Sequence, residues 1–157
     1  MVSVVISEGI ILVTAIIIAA GFSVTILNQM GLFKSTIVSA GATEKEIALT
    51  RIKILYATNS SSNDVKIWVK NIGSNPVVGL NKADVYFGKL NYVERIPYNH
   101  TSSPTWVYAS GTGSQWHPKD TLEFDVTSNS TLESSMTYVV RVATPNGVSD
   151  DYIFSLP

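Results

Sequence analysis

The side chains best suited to chemistry in this 157-residue chain are two histidines, His100 and His117, and the acidic pair Asp150-Asp151. The histidines lie in different predicted loops, and neither belongs to a His-Glu-x-x-His or other metal-binding spacing. Neighbouring acids in a turn are more often solubilising than cation-binding. No Gly-x-Ser-x-Gly segment or phosphate-binding glycine loop occurs. The sequence therefore predicts no catalytic, metal or cofactor-binding residues and favours a protein that is not an enzyme.

The charge composition also excludes classes of function. Only 15% of the residues are charged and the net charge is −1, so the chain lacks the cationic face that nucleic acids require. It contains no cysteine, which excludes disulfides and thiolate metal sites. We expect partners other than nucleic acid and a domain that is stabilised by its core alone.

Three Asn-x-Ser/Thr sequons are the remaining candidate modification sites, at Asn59, Asn99 and Asn129, each in a predicted turn. Such acceptors are glycosylated only on the exported side of a membrane. The positive-inside rule would weakly place Lys34 on the cytoplasmic side. Because one basic residue is weak evidence, we favour an extracytoplasmic location for the polar body of the chain.

The elements that position these residues begin with a long apolar segment. The 25 residues from Gly9 to Phe33 carry no charge, and as a helix they are about 37 Å long, more than the roughly 30 Å of a bilayer core. A cleaved signal peptide fits poorly, because no basic residue precedes the run and the run is too long. A buried core helix of this length would be unusual. We therefore predict a retained transmembrane or assembly helix within residues 1–50.

The carboxylate of Glu8 is conspicuous because it lies near the start of this apolar helix. A simple interpretation places it at the membrane surface, where it supports the helix N-terminus through the dipole. A second interpretation uses spacing, because small side chains at every fourth position let another helix approach closely. On that interpretation one face packs against copies of itself, and it consists of Glu8, Leu12, Ala15, Ala19 and Ser23.

The body, residues 51–157, changes to a period of two. Val65, Ile67 and Val69 alternate with polar residues and pair with the preceding run as a predicted hairpin. Six further short apolar runs follow, separated by Gly, Pro, Asn or Ser. The fold class predicted is α+β, a long N-terminal helix followed by an antiparallel, immunoglobulin-like sandwich. Two of the three tryptophans are expected in the core. A rival interpretation uses an aromatic solute-binding site of Trp106, Tyr108 and Trp116.

These residues resemble a known family. An apolar N-terminal helix with an early glutamate, followed by a sandwich, is similar to the archaeal flagellins, relatives of type IV pilins. The segments that carry the resemblance are "VKIWVKNIGSNPVVGLNKADVYFG", "WHPKDTLEFDV" and "YVVRVATPNGV". Flagellins have a short basic leader, whereas no Lys or Arg precedes the apolar run here. The stretch "SEGIILVTAIIIAA" is similar instead to the archaellum accessory proteins of the FlaG and FlaF type within this family.

The resemblance implies a structural component of the archaeal motility motor. Proteins of this type are single-pass membrane proteins with the sandwich between the cell membrane and the surface layer. The resemblance implies a stator role, self-association, a FlaF-like sandwich partner and, through it, the surface-layer protein. Glu8 matches the early acid of the family. The alternatives are a filament-forming pilin-like or flagellin-like subunit and a membrane-tethered solute-binding module.

Overall fold

A computed structural model describes residues 2–109 and 115–156 of the chain. In these ranges one long helix precedes ten strands, and all the strand pairs are antiparallel. The predicted fold class is therefore confirmed. The chain divides into two compact units, the first ending at Glu44 and the second beginning at Lys45.

The helix, α1, spans Val2–Leu49 and has 48 residues, which corresponds to a length of about 72 Å. Hydroxyl groups along it bond to its own backbone. Thr14 Oγ1 donates to the carbonyl of Ile10 at 2.8 Å, and Ser23 Oγ donates to the carbonyl of Ala19 at 2.8 Å. These hydroxyls need no water, so they are compatible with an apolar environment.

The C-terminal end of α1 belongs to the second unit, and other residues of that unit satisfy its backbone groups. The amide N–H and the hydroxyl of Thr50 both donate to the carbonyl of Glu46, at 3.0 and 2.8 Å. The amide N–H of Ser74 donates to the carbonyl of Leu49 at 2.9 Å, and Asn146 Nδ2 donates to the Thr50 hydroxyl at 2.7 Å. The last carbonyls of a helix lack partners within it, so these contacts fix where α1 ends.

Besides the last residues of α1, the described part of the second unit contains ten strands and one short 3₁₀ helix, Leu80–Lys82. The strands are β1 Ile52–Asn59, β2 Asp64–Asn71, β3 Val77–Val78, β4 Asp84–Lys89, β5 Tyr92–Ile96, β6 Thr105–Tyr108, β7 Gln115–Trp116, β8 Thr121–Thr127, β9 Thr137–Ala143 and β10 Ser149–Ser155. One sheet has the order β1–β2–β8–β6, the other has the order β10–β9–β4–β5, and β3 pairs with β7. The hairpin predicted at β1–β2 is confirmed.

The core lies between the two four-stranded sheets and follows the predicted alternation. Val65, Ile67 and Val69 of β2 are fully buried, as expected for one face of a strand. Trp106 and Trp116 are also in the core, with exposed fractions of 1% and 0%. Two tryptophans in the core were expected. Because they are buried, they cannot line an open solute site with Tyr108.

Asn71 organises the loop that follows β2. Its side chain is fully buried, and Nδ2 donates to the carbonyls of Asn75 and Trp116 at 3.0 and 3.1 Å. Its Oδ1 accepts from the amide N–H of Gly73 at 2.9 Å. A Cβ at Gly73 would lie 2.5 Å from the carbonyl oxygen of Leu49. The Asn-x-Gly segment is thus required where the loop meets the end of α1.

Two carboxylates stabilise pairings of strands. Asp64 accepts hydroxyl hydrogen bonds from Ser61 at 2.7 Å and from Thr127 at 2.8 Å. Both bonds lower the pKa of Asp64 below its usual value, and the bond from Ser61 has the larger effect. Asp151 of β10 accepts two hydrogen bonds from the guanidinium of Arg141 in β9, at 2.5 and 2.6 Å, and that pairing lowers the pKa of Asp151. Both carboxylates therefore favour the folded state most when they are ionised.

Replacing the buried amide of Asn71 tests its role in the fold. We expect Asn71→Ala to lower the free energy of unfolding by about 2–3 kcal/mol, because two carbonyls and one N–H lose their partner and the carbonyl of Trp116 is in a buried position. Urea unfolding of the full-length protein in detergent measures the loss. The matched control is Asn91→Ala at an exposed turn position, with an expected change within about 0.5 kcal/mol. Equal stabilities of the two variants would contradict this role.

The two carboxylates predict how stability depends on pH. Their folded pKa values are depressed, so their contribution is fully present above the unfolded value of about 3.9 and is lost as the pH falls through the folded values. We expect stability to decrease below about pH 4. The double variant Asp64→Asn/Asp151→Asn should show a shallower decrease. Unfolding midpoints from pH 2 to 7 measure both slopes, and parallel curves would refute the assignment.

Candidate functional site

The predicted packing face of α1 is a continuous stripe in the structure. Its residues fall within roughly 80° of the helix circumference, at about 100° per residue, and extend over about 22 Å. All five side chains are exposed, and they are those of Glu8, Leu12, Ala15, Ala19 and Ser23. The small side chains leave a shallow ridge on which the backbone of a second helix can lie close. The stripe has no partner within the described part of the chain.

The stripe continues toward the C-terminal end of α1 with bulky side chains. Ile26, Met30, Phe33 and Ile37 repeat at steps of three and four from Ser23, on the same face. Two shallow apolar grooves lie beside Met30 and Phe33 on this surface. The predicted packing face ended at Ser23, although the same spacing in the sequence extends it to Ile37. The complete face is small near the N-terminus and large beyond Ser23.

The apolar surface of α1 is long enough to cross a bilayer. No side chain in its most apolar window is buried, and the mean hydropathy there is 2.7. Ile17, Leu27 and Phe33 each expose about two thirds of their side chains, with fractions of 66%, 68% and 69%. Apolar surface of this extent is unfavourable in water. The helix therefore requires lipid or other helices around it.

The three sequon asparagines are all exposed. Asn59 ends β1, Asn99 lies in the loop between β5 and β6, and Asn129 lies in the loop between β8 and β9. Asn99 adopts a positive φ of 45°, a conformation that asparagine tolerates better than most residues. Although 70 residues separate the first from the last in the sequence, the fold brings their loops to one end of the sheet β1–β2–β8–β6.

The outer faces of the two sheets differ in chemistry. On the face of β1–β2–β8–β6 Lys66 forms ion pairs with Glu123 and Asp125, and the rings of Tyr56 and Trp68 stack on each other. The face of β10–β9–β4–β5 carries the ion pairs Arg141–Asp151 and Arg95–Asp84 and, beside them, an apolar row. In that row Ile153 pairs with Val139, and Gly88 pairs with both Val139 and Val93. Ile153 is 59% exposed and Val93 is 41% exposed.

The edge strand β1 is occupied in part by a side chain of β10. At the edge strand β1 the amide N–H of Ile54 donates to Asp150 Oδ2 at 2.8 Å, and Lys53 Nζ lies 3.2 Å from Asp150 Oδ1. Asp150 thus occupies a backbone donor that another strand would otherwise bind. Its neighbour Asp151 pairs with Arg141, so the acidic pair has a structural use in β10.

No arrangement suited to catalysis occurs in the described ranges. His100 bonds within its own loop, its Nδ1 lying 3.0 Å from the carbonyl oxygen of Ser102. His117 Nδ1 lies 3.9 Å from a carboxylate oxygen of Asp120, at an exposed position. Residues 2–109 and 115–156 contain no group of three His, Cys, Asp or Glu side chains that could hold a metal ion. The surfaces described above offer contacts to other molecules rather than chemistry.

Comparison with known proteins gives these surfaces a context. The sequence model of the archaeal-type flagellin matches residues 3–154. No curated protein sequence matches the chain. The archaellum periplasmic stator protein FlaG from Sulfolobus acidocaldarius is 34% identical with a TM-score of 0.63, and the match covers 68% of this chain and 100% of that one.

Two further solved structures are similar. A chain of the FlaF and FlaG stator complex from Sulfolobus acidocaldarius is also 34% identical with a TM-score of 0.63, over 68% of this chain and 90% of that one. A chain of the archaeal flagellum of Methanospirillum hungatei strain JF1 has a TM-score of 0.76 at 17% identity, over 96% and 92% of the two chains, which shows a shared fold. From the match over residues 3–154 and the identity to FlaG, the chain belongs to the archaeal-type flagellin family, as an archaellum-related structural protein.

Proposed function

We propose that this protein is a stator component of the archaellum, anchored in the cell membrane by α1 with its sandwich in the extracytoplasmic space. In this role it self-associates, binds a FlaF-like sandwich protein and is connected through that partner to the surface-layer protein. The observation that carries the proposal is the 34% identity along the whole length of the solved FlaG chain. The role needs no cofactor, and the charge composition gives no support for binding of nucleic acid.

The properties of α1 support a membrane anchor. Its apolar surface is exposed from Ile6 onward, and its hydroxyls bond to its own backbone. The first basic residue is Lys34, so a length of about 37 Å precedes it without a charge after Glu8. Lipid would cover the apolar surface, and Glu8 would lie near one membrane surface or against a neighbouring helix.

The small residues of the stripe support self-association of the helix within the membrane. Lipid tails are as apolar as leucine, so helices associate there through close packing rather than through the hydrophobic effect. Ala15, Ala19 and Ser23 permit such an approach, whereas Met30 and Phe33 keep a partner farther away. We infer that copies of α1 pack most closely in the half that contains the alanines, with Glu8 facing donors of a neighbouring helix.

The outer face of β10–β9–β4–β5 is the surface that we propose for the FlaF-like partner. Its row of Ile153, Val139 and Val93 is apolar, and the ion pairs Arg141–Asp151 and Arg95–Asp84 lie on the same face. The related complex of FlaF with FlaG supports a sandwich protein as the partner. An apolar row with Arg141 and Asp151 beside it suits a protein interface, in which apolar contacts lie among polar ones.

The rival function is that of a filament subunit of the flagellin or pilin type. The similarity to the Methanospirillum hungatei flagellum includes the helix, which gives this rival a specific observation, although at 17% identity it concerns the fold alone. Filament subunits of this family lose a leader peptide. Intact-mass measurement on protein from native membranes distinguishes the two, because the stator role predicts an unprocessed N-terminus.

Enlarging the small residues of the stripe tests self-association. We expect Ala15→Leu/Ala19→Leu to weaken the oligomer by about tenfold or more, because the added side chains hold the helices apart. Chemical cross-linking of the full-length protein in membranes measures the effect. Ala20→Leu is the matched control, because this alanine lies roughly 120° away around α1. Equal cross-linking of both variants and the parent would rule out this packing face.

The proposed partner surface predicts which protein co-purifies. Tagged full-length protein from native membranes should recover a FlaF-like sandwich protein, and Val139→Glu should reduce that recovery strongly because it places a charge in the apolar row. Thr121→Glu adds the same charge on the other sheet and should leave recovery unchanged. Mass spectrometry of the recovered proteins measures both. A monodisperse monomer without any partner would contradict the stator role.

A further inference from the structure

The three segments that contain the sequons lie at one end of the sandwich, where backbone hydrogen bonds and strand pairing connect them. The amide N–H of Ser128 donates to the carbonyl of Asn63 at 2.8 Å, and that of Leu132 donates to the carbonyl of Ser62 at 2.7 Å. These bonds join the loop that contains Asn129 to the turn that follows Asn59. The two sequons therefore share one surface.

The third sequon reaches the same end through β6. Thr105 at the start of β6 pairs with Thr127 of β8, and Thr127 pairs with Asp64 of β2. The amide N–H of Asn99 donates to the carbonyl of Trp106 at 2.9 Å, which places Asn99 beside the start of β6. This end is opposite to the one where β1 begins at Ile52. The convergence depends on the strand order and cannot be read from the sequence.

The three sequons differ in whether their side chains at the first and third positions already form hydrogen bonds. The side-chain amides of Asn59, Asn99 and Asn129 make no hydrogen bond within residues 2–109 and 115–156. The hydroxyls of Thr101 and Thr131, at the third position of two sequons, are likewise without a bond in these ranges. In contrast, the Ser61 hydroxyl of the first sequon donates to Asp64 at 2.7 Å and accepts from the amide of Asn63.

We propose that Asn99 and Asn129 carry N-linked glycans and that Asn59 is the least occupied of the three sites, so that sugar covers this end of the sandwich. The donor is an oligosaccharide on a lipid phosphate or pyrophosphate. Asparagine Nδ2 forms a bond to C1 of the first sugar and loses a proton, while the bond from C1 to the phosphate oxygen breaks and its electron pair leaves with the lipid phosphate. The low occupancy of Asn59 follows because its hydroxyl partner, Ser61, is held within the turn.

Intact-mass measurement of the full-length protein, expressed in its native host, tests the proposal. We expect a mass above that of the polypeptide, with loss of one glycan mass in Asn99→Gln and another in Asn129→Gln. Thr101→Ala should lose the same increment as Asn99→Gln, whereas Thr101→Ser, which keeps the sequon, should retain it. Asn91→Gln, outside any sequon, is the control. A mass equal to that of the polypeptide, or an undiminished excess in the Asn99→Gln/Asn129→Gln double variant, would overturn the proposal.

The proposal rests on the extracytoplasmic location in the proposed function, so the location is measured separately. The chain has no cysteine, so Asn91→Cys introduces a single thiol in an exposed turn. A membrane-impermeant maleimide modifies this thiol in intact cells only when the turn lies outside the membrane. If the thiol is labelled in intact cells but the intact mass shows no glycan, the glycosylation is contradicted and the location is not. Absence of labelling, with labelling restored after lysis, would refute the location and the glycosylation together.

Discussion

The exposed apolar surface of α1 is the constraint on which the rest of the molecule depends. Between Ile6 and Phe33 fifteen large apolar side chains are exposed. Complete burial of each is worth about 1.5–3 kcal/mol, so covering them contributes on the order of tens of kcal/mol. That exceeds the roughly 5–15 kcal/mol by which a folded domain is stable. The environment of α1 therefore decides where this protein resides more strongly than any feature of the sandwich.

Periodicity predicted the fold well because each major element is long enough to show its period. The alternation of Val65, Ile67 and Val69 identified β2 and its buried face, and the charge-free run identified α1. The strands β3 and β7 were missed because two residues carry no period. The convergence of the sequon loops could not be predicted, since it depends on β8 lying beside β2 and β6 lying beside β8.

Buried polar groups determine details that apolar patterning leaves open. Asn71 satisfies two carbonyls and one N–H in the loop beside the end of α1, and Asp150 binds a backbone donor at the edge of β1. Nothing in the sequence distinguishes Asn71 or Asp150 from the other Asn and Asp residues. Their roles follow only when the partners are known, because the partners are mostly backbone atoms distant in sequence. Loops and edges were therefore less predictable than strands.

A stationary part of a rotary motor must resist lateral force, which a single weak contact cannot do. The proposed assembly has two kinds of contact per copy, one along α1 in the membrane and one on the sandwich. When copies are joined by one contact, the second becomes intramolecular, and its effective concentration raises the strength of the whole array without stronger individual interfaces. Modest surfaces such as the stripe with Ala15 and Ala19 and the row with Val139 are therefore sufficient. A chain with no catalytic arrangement in its described part and with two separate proposed contact faces suits this mechanical role.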